Sequence, residues 1–176
     1  MIRLKKFDKE DYNNLVAWID SEEMLIRIAG RQMTFPVTKE QLDISQSDVK
    51  RNAFSIINAE TGKSIGHCEL YLLENSAKID RVIIDGSMKG KGLCSHLMKL
   101  LLDYGFNVLK QPVIELNVFD WNTAAIRCYE KAGLKKNNDK TMEFESNGEK
   151  WIAVNMSIDK ETYEQNKLAS AAQDIS

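Results

Sequence analysis

The chain has 176 residues, of which 43% are hydrophobic and 28% charged, and its formal net charge is -2. That length encloses the core of one domain, and the near-neutral charge gives no overall reason to expect nucleic acid or an anionic membrane as partner. Cys68, Cys94 and Cys128 lie far apart with no CxxC pair, so their spacing predicts neither a disulfide framework nor a zinc site. The opening segment has no long apolar run; neither a signal peptide nor a membrane span is expected, and the expected compartment is cytoplasmic.

The first six positions after Met1 alternate well enough for a short strand. Asp8, with Asp11 three residues on, then reads as a helix start with a weak capping box, followed by Leu15, Trp18 and Ile19 at helical spacing. A second helical stretch runs over 21–28 and stops at Gly30. Phe35-Pro36 breaks the pattern, and Thr38 with Gln41 restarts it as a second capping box. From Ala53 the period changes to two. Strands are predicted over 53–59, 64–74 and 77–85, and the short links between them make the three antiparallel neighbours.

A long helical pattern follows Gly92, with Leu93, Leu97, Leu101, Tyr104 and Val108 on one face, and Pro112 stops it. Positions 113–119 alternate as a strand, with parallel pairing expected between the strands near Asp80 and Leu116. Asn122 can cap the next helix, whose Ala125, Cys128, Tyr129 and Ala132 share a face and which ends at Gly133. Two last strands, 141–146 and 151–158, meet at Asn147-Gly148, a strong hairpin signal. The expected organisation is one domain over 1–159 and a polar, partly helical tail over 160–176.

The segment Val82-Ile-Ile-Asp-Gly-Ser-Met-Lys-Gly-Lys-Gly-Leu93 is a strand, a glycine loop and a helix start. The first turn of a helix carries N–H groups without intrahelical partners and a positive dipole end, and glycines let backbone approach an anion closely. Such a loop suits a pyrophosphate, with Lys89 and Lys91 adding positive charge. It is not a P-loop, because Gly86 to Gly90 is one residue short of GxxxxGK. It is not a Rossmann fingerprint either: Ser95 stands where the third glycine belongs, and the strands before it form a meander. A plain capping turn that holds nothing is the remaining alternative.

The loop Ser87-Met-Lys-Gly90-Lys-Gly92 resembles the phosphate loop of the GNAT family of N-acetyltransferases at both glycines, with Ser87 in place of Gln or Arg. At the expected distance, Asn122, Ala125 and the string Tyr129-Glu-Lys-Ala-Gly133 resemble the family's next strand-to-helix segment. The order of elements agrees over residues 1–159. The resemblance implies an α/β fold of the α+β type: a mixed, mainly antiparallel sheet of about six or seven strands with helices on both faces. It implies acetyl-CoA as cosubstrate and no metal. The pantetheine arm would pair with backbone of Val82, Ile83 and Ile84 where two strands splay apart. N–H groups of Lys89, Gly90, Lys91, Gly92, Leu93 and Cys94 would hold the pyrophosphate, and Asn122 would touch the arm.

The implied chemistry is transfer of an acetyl group to a primary amine of a small molecule or peptide by direct attack, with Tyr129 giving a proton to the leaving sulfur. The family places a carboxylate base on a central strand. Glu69, in a polar row with His67 and Tyr71, is the expected base, with its pKa raised by partial burial, and Asp80 is the alternative. Cys94 and Cys128 lack a His/Asp constellation and read as small packing residues. A non-catalytic acyl-CoA-binding or sensor module of the same fold is the competing function. The acceptor should be set by the helix over 21–30, the loop 31–36 and the hairpin near Trp151; Glu22, Glu23, Glu69 and Asp80 would suit a cationic amine, and a peptide N-terminus fits equally. A homodimer through strand edges or the tail stays open.

Overall fold

A computed structural model describes residues 1–88 and 90–173. Chain order is β1 (Ile2–Lys6), a 3-10 turn (Lys9–Asp11), α1 (Tyr12–Trp18), α2 (Glu22–Ala29), α3 (Lys39–Gln46), β2 (Arg51–Asn58), β3 (Ser64–Leu72) and β4 (Ala77–Ile84). A second 3-10 turn (Gly86–Met88) leads to α4 (Leu93–Asp103) and a π-helical turn (Tyr104–Val108). Then come β5 (Val113–Phe119), α5 (Thr123–Lys131), β6 (Lys135–Ser146), β7 (Glu149–Asp159) and α6 (Lys160–Gln173). The seven strands form one sheet in the order β1-β2-β3-β4-β5-β7-β6. Every neighbouring pair is antiparallel except β4 with β5. The expected parallel crossover and the mixed, mainly antiparallel sheet are both present.

The two sheet faces are covered separately. On one, Leu97, Leu101 and Phe106 of the long helical segment pack on Ile56, Leu70, Ile79 and Leu116. On the other, Tyr12, Leu15, Leu25 and Leu42 of α1 to α3 pack on Phe7, Ala53 and Ile83. Each fully buried leucine or isoleucine contributes about 2 kcal/mol, so the central strands are fixed from both sides.

The helix starts follow the predicted caps with one difference. Asp8 Oδ1 accepts from the Glu10 amide at 3.0 Å, and the Asp8 amide donates to Asp11 Oδ2 at 3.2 Å, the expected reciprocal pair. Thr38 Oγ1 accepts from the Gln41 amide at 3.3 Å. The Gln41 side chain does not return to Thr38. It accepts from the Thr34 amide and donates to the Thr34 and Pro36 carbonyls, pinning the loop instead.

Three sequence expectations need correction. The single apolar face through Val108 fails at the π-helical turn, which shifts the phase: Phe106 is fully buried and Val108 is 57% exposed. Gly105 lies in that turn because a Cβ there would fall 2.4 Å from Ile114 Cδ1. The strand β6 starts at Lys135, six residues before the predicted 141. Its first part carries few apolar residues and is held by amides: Asn137 Nδ2 donates to Asn155 Oδ1 (2.6 Å), and Asn155 Nδ2 donates to Asn117 Oδ1 (3.0 Å). Finally, Cys94 and Cys128 are joined by a disulfide between α4 and α5, where packing residues were expected. Sequence spacing alone could not bring together two cysteines 34 residues apart.

Asn147 and Gly148 both have positive φ (52° and 77°), so the final hairpin has the turn its sequence demands. In α6, Tyr163 stacks on Phe106 with ring centroids 4.7 Å apart.

Candidate active site

The site begins where two strands stop pairing. β4 and β5 are in register at Ala77↔Ile114, Lys78↔Glu115 and Ile79↔Leu116, and no pair follows. On its other edge β4 carries a bulge: His67 pairs with Ile83 and Glu69 with Asp80, so Arg81 and Val82 face Cys68 alone. Arg81 has φ 48°, unusual for a residue with a side chain. A bulge bends its strand, and here it turns β4 away from β5. β5 meanwhile stays paired with β7 as far as Phe119↔Ala153. The facing edges beyond Ile79 and Leu116 therefore have lost their ladder, and backbone polar groups there need other partners.

The gap opens into a cleft of about 390 Å³. Lys78 to Val82 form one wall and Leu116 to Phe119 the other, with Asn122 and Tyr129 of the α5 region at the base. The end of α2 with the loop through Gln32, and Met142 to Phe144 of the hairpin, close the far side. Of the elements expected to face the acceptor, the end of α2 and the loop as far as Gln32 line this cleft; residues 33–36 and Trp151 do not.

The glycine loop lies at the end of β4. Asp85 Oδ1 accepts from both the amide (2.9 Å) and the hydroxyl (2.8 Å) of Ser87, and these bonds hold the Asp85 carboxyl below its ordinary range. Ser87 is thereby spent on the turn. Gly90 and Gly92 have φ of 77° and 69°, and a Cβ at either would meet no atom within 4 Å. Backbone conformation, not crowding by the protein, is what selects glycine here, and the surface beside it stays open. Gly92 has no side chain to cap α4, so the first amides of that eleven-residue helix are free for an anion. Lys89 lies outside the described residues. Lys91 is exposed, Leu93 and Cys94 are half-buried in the first turn, and Cys94 is tied to α5.

Asn122 caps α5, its Oδ1 accepting from the Ala125 amide at 3.3 Å, and lines the cleft from that position. Tyr129, about two turns later, also lines it. Burial pushes the Tyr129 hydroxyl above the ordinary tyrosine value, so it keeps its proton near neutrality.

Glu69 does not meet the expectation of a cleft carboxylate with a raised pKa. It is 1% exposed and is not part of the cleft wall. His67 Nε2 lies 2.9 Å from Oε1, the Arg51 guanidinium donates to Oε2, and Arg81 Nη1 is 3.5 Å from Oε1. Burial alone would raise its pKa, but the His67 hydrogen bond and the charges of His67, Arg81 and Arg51 outweigh that and hold it at about 2. Asp80, the alternative, does line the cleft; it is 13% exposed and pairs with Lys78 Nζ at 3.3 Å.

Two features escaped the sequence. One is the polar knot around Arg81 and Glu69, since no motif marks it. The other is an aromatic corner: Phe119 stacks on Trp121 at 5.4 Å and meets Trp151 edge-on at 5.2 Å, with Arg27 Cζ 4.8 Å above the Trp121 ring. Trp121 and Trp151 were visible as residues, but 30 positions of chain separate them. No cluster of His, Cys, Asp and Glu suited to a metal ion occurs among the described residues, and no helix there is long and apolar enough to cross a membrane.

Together, a parallel strand pair that opens halfway and a glycine loop at an uncapped helix start leave backbone edges open in one place, a geometry that suits a strand-like arm with an anionic end. The chain belongs to the acetyltransferase (GNAT) family, whose model matches residues 22–134. It is 36% identical over 83 residues to spermidine N(1)-acetyltransferase of Escherichia coli K12, a match covering 47% of this chain and 45% of that protein. It is 27% identical over 129 residues to aminoglycoside N(6')-acetyltransferase type 1 of Klebsiella pneumoniae, covering 70% and 64%. The chain thus spans less than two thirds of the length of these relatives. Its fold matches that of Vibrio cholerae spermidine N-acetyltransferase in complex with CoA and spermine, with a TM-score of 0.78 at 23% identity over 92% of this chain and 97% of that one.

Proposed function

We propose that this protein transfers an acetyl group from acetyl-CoA to a primary amine of a small molecule or peptide. The observation that carries this is the opening of β4 from β5 beside the uncapped start of α4, with Tyr129 in the same cleft. Acetyl-CoA supplies an activated acyl carbon and a thiolate leaving group.

The residues divide the work by chemistry. The free edge of β4 at Val82, Ile83 and Ile84 accepts the pantetheine arm as an added strand. The amides from Gly90 to Cys94 take the pyrophosphate, with Lys89 and Lys91 adding positive charge. Asn122, fixed as the cap of α5, steadies the arm near its thioester end. Tyr129 hands its proton to the departing sulfur; a hydroxyl that stays neutral suits an acid of this kind. Asp80, directly or through water, takes the proton from the amine, because it lines the cleft while Glu69 lies behind it and, held at about 2, is too weak a base. Spermidine and aminoglycoside enzymes among the relatives favour a small polyamine or aminosugar acceptor over a peptide. The cytoplasm, where CoA thioesters are used, is the proposed location, and there the Cys94–Cys128 bond would meet reducing thiols.

A thiol-release assay with acetyl-CoA against polyamines, aminoglycosides, amino acids and peptides tests the proposal. Release that depends on one class of amine is expected. Tight CoA binding with no release for any amine would leave a non-catalytic acyl-CoA-binding module.

A further inference from the structure

Arg81 is an unlikely residue for its position. It sits in the β4 bulge at φ 48°, a conformation glycine adopts freely, yet it carries a long charged side chain that is only 7% exposed. Residues held in such backbone regions persist when the surroundings over-determine them. The surroundings here are specific. Nη1 donates to Ser45 Oγ of α3 at 2.6 Å and faces Glu69 Oε1 of β3 at 3.5 Å, and Nη2 donates to Gln32 Oε1 at 3.0 Å. Glu69 is in turn held by Arg51 of β2 and by His67.

One guanidinium therefore joins β4 to two segments, α3 and the loop carrying Gln32, that no backbone ladder joins to it. β4 has left β5 at Ile79, and the loop carrying Gln32 belongs to no strand. Both Arg81 and Gln32 line the cleft, from its β4 wall and from its far side respectively. The distance between the strand that presents the thioester and the loop that closes on the amine is set through this side chain.

We propose that Arg81 is a positioning residue for acetyl transfer: through Gln32, Ser45 and Glu69 it fixes the acceptor-side loop and α3 against the bulged strand. It acts on the alignment of amine and thioester, not on the grip on CoA. This rests on the transfer reaction proposed above. A misplacement of about 1 Å at reacting atoms lowers rates by about 100-fold, so the loss should fall on kcat and on the acceptor KM.

Arg81→Gly tests this with the backbone unstrained, because glycine keeps the bulge conformation while the whole side chain, guanidinium included, is lost. Turnover should fall by about 30-fold or more, with the CoA Kd from calorimetry within about threefold of wild type. The double variant Gln32→Ala/Ser45→Ala leaves Arg81 and Glu69 in place and should show the same split at about fivefold. Arg81→Lys should recover only a small part, since an ammonium cannot reach three partners as a planar fork does. Turnover within twofold of wild type in Arg81→Gly would overturn the role, as would an equal loss of CoA affinity. Should Arg81→Gly fail to fold, the double variant decides on the same criteria. A wild-type protein that releases no thiol with any amine would overturn the transferase proposal and this one with it; a competent wild type beside an unaffected variant overturns this one alone.

Discussion

The two sides of the cleft are built from different materials. The side proposed to receive the donor is backbone: the free edges of β4 and β5, and the loop at Gly90 and Gly92, where a Cβ would meet no atom within 4 Å. The side proposed to face the acceptor is side chain: Arg81 bound to Gln32 and Ser45, with Phe119 of the cleft wall leading into the Trp121 and Trp151 corner under Arg27 beside it. Backbone recognition suits a ligand that is the same in every turnover. Side-chain recognition is where one member of a family can come to differ from the next, and the two relatives named above, one acting on spermidine and one on aminoglycosides, differ in their acceptors.

The largest effect that would sharpen this contrast belongs to Tyr129, which stands between the sides. Tyr129→Phe removes only the hydroxyl and should lower kcat by about 100- to 1,000-fold with CoA affinity unchanged. Steady-state kinetics beside a CoA titration check it, and an unchanged kcat would take Tyr129 out of the chemistry. Because burial raises its pKa, any decline in activity from loss of this proton should set in at higher pH than for an ordinary tyrosine.

Glu69 comes next and would break the acceptor side structurally. Glu69→Gln leaves Arg51 and Arg81 buried without a full counter-charge and should lower stability by about 3 kcal/mol at pH 7. Its carboxyl is depressed in the folded protein from an ordinary 4.5 to about 2. The stability it contributes is therefore present above pH 4.5 and is lost as pH falls toward 2. Denaturant midpoints of wild type and variant should converge over that window; a gap that stays constant with pH would show that the charge is not what matters.

On the donor side, Gly92→Ala places a Cβ on a residue at φ 69° and should weaken CoA binding by about fivefold through about 1 kcal/mol of backbone strain. A smaller loss of CoA affinity, about twofold, is expected from Asn122→Ala, which also removes the α5 cap and should lower stability by about 1 kcal/mol. Thermal melts and CoA titrations separate the two.

This division also explains what could be read in advance. Glycines at fixed spacing, the Asn122 cap, the strand alternation from Ala53 and the Asn147-Gly148 turn are local signals, and each placed its element. The glycine loop was legible because its backbone conformation follows from local sequence, whereas the opening of β4 from β5 came only from the family resemblance. The environment of Glu69 was not legible because it comes from Arg51, His67 and Arg81, which reach it only through sheet register and the bulge. The π-helical turn was hidden for a similar reason: the phase shift answers to the packing of Gly105 on Ile114, a contact between elements. The Cys94–Cys128 bond depends on how α4 lies beside α5, which no spacing rule supplies.

Amide hydrogen exchange with and without acetyl-CoA tests the central claim most directly. If the opened strands and the glycine loop hold the cosubstrate, protection should rise at residues 82–84, 90–94 and 117–119, and stay flat in β1, β2 and α6. Saturable CoA binding with no added protection on β4, β5 or the start of α4 would contradict it.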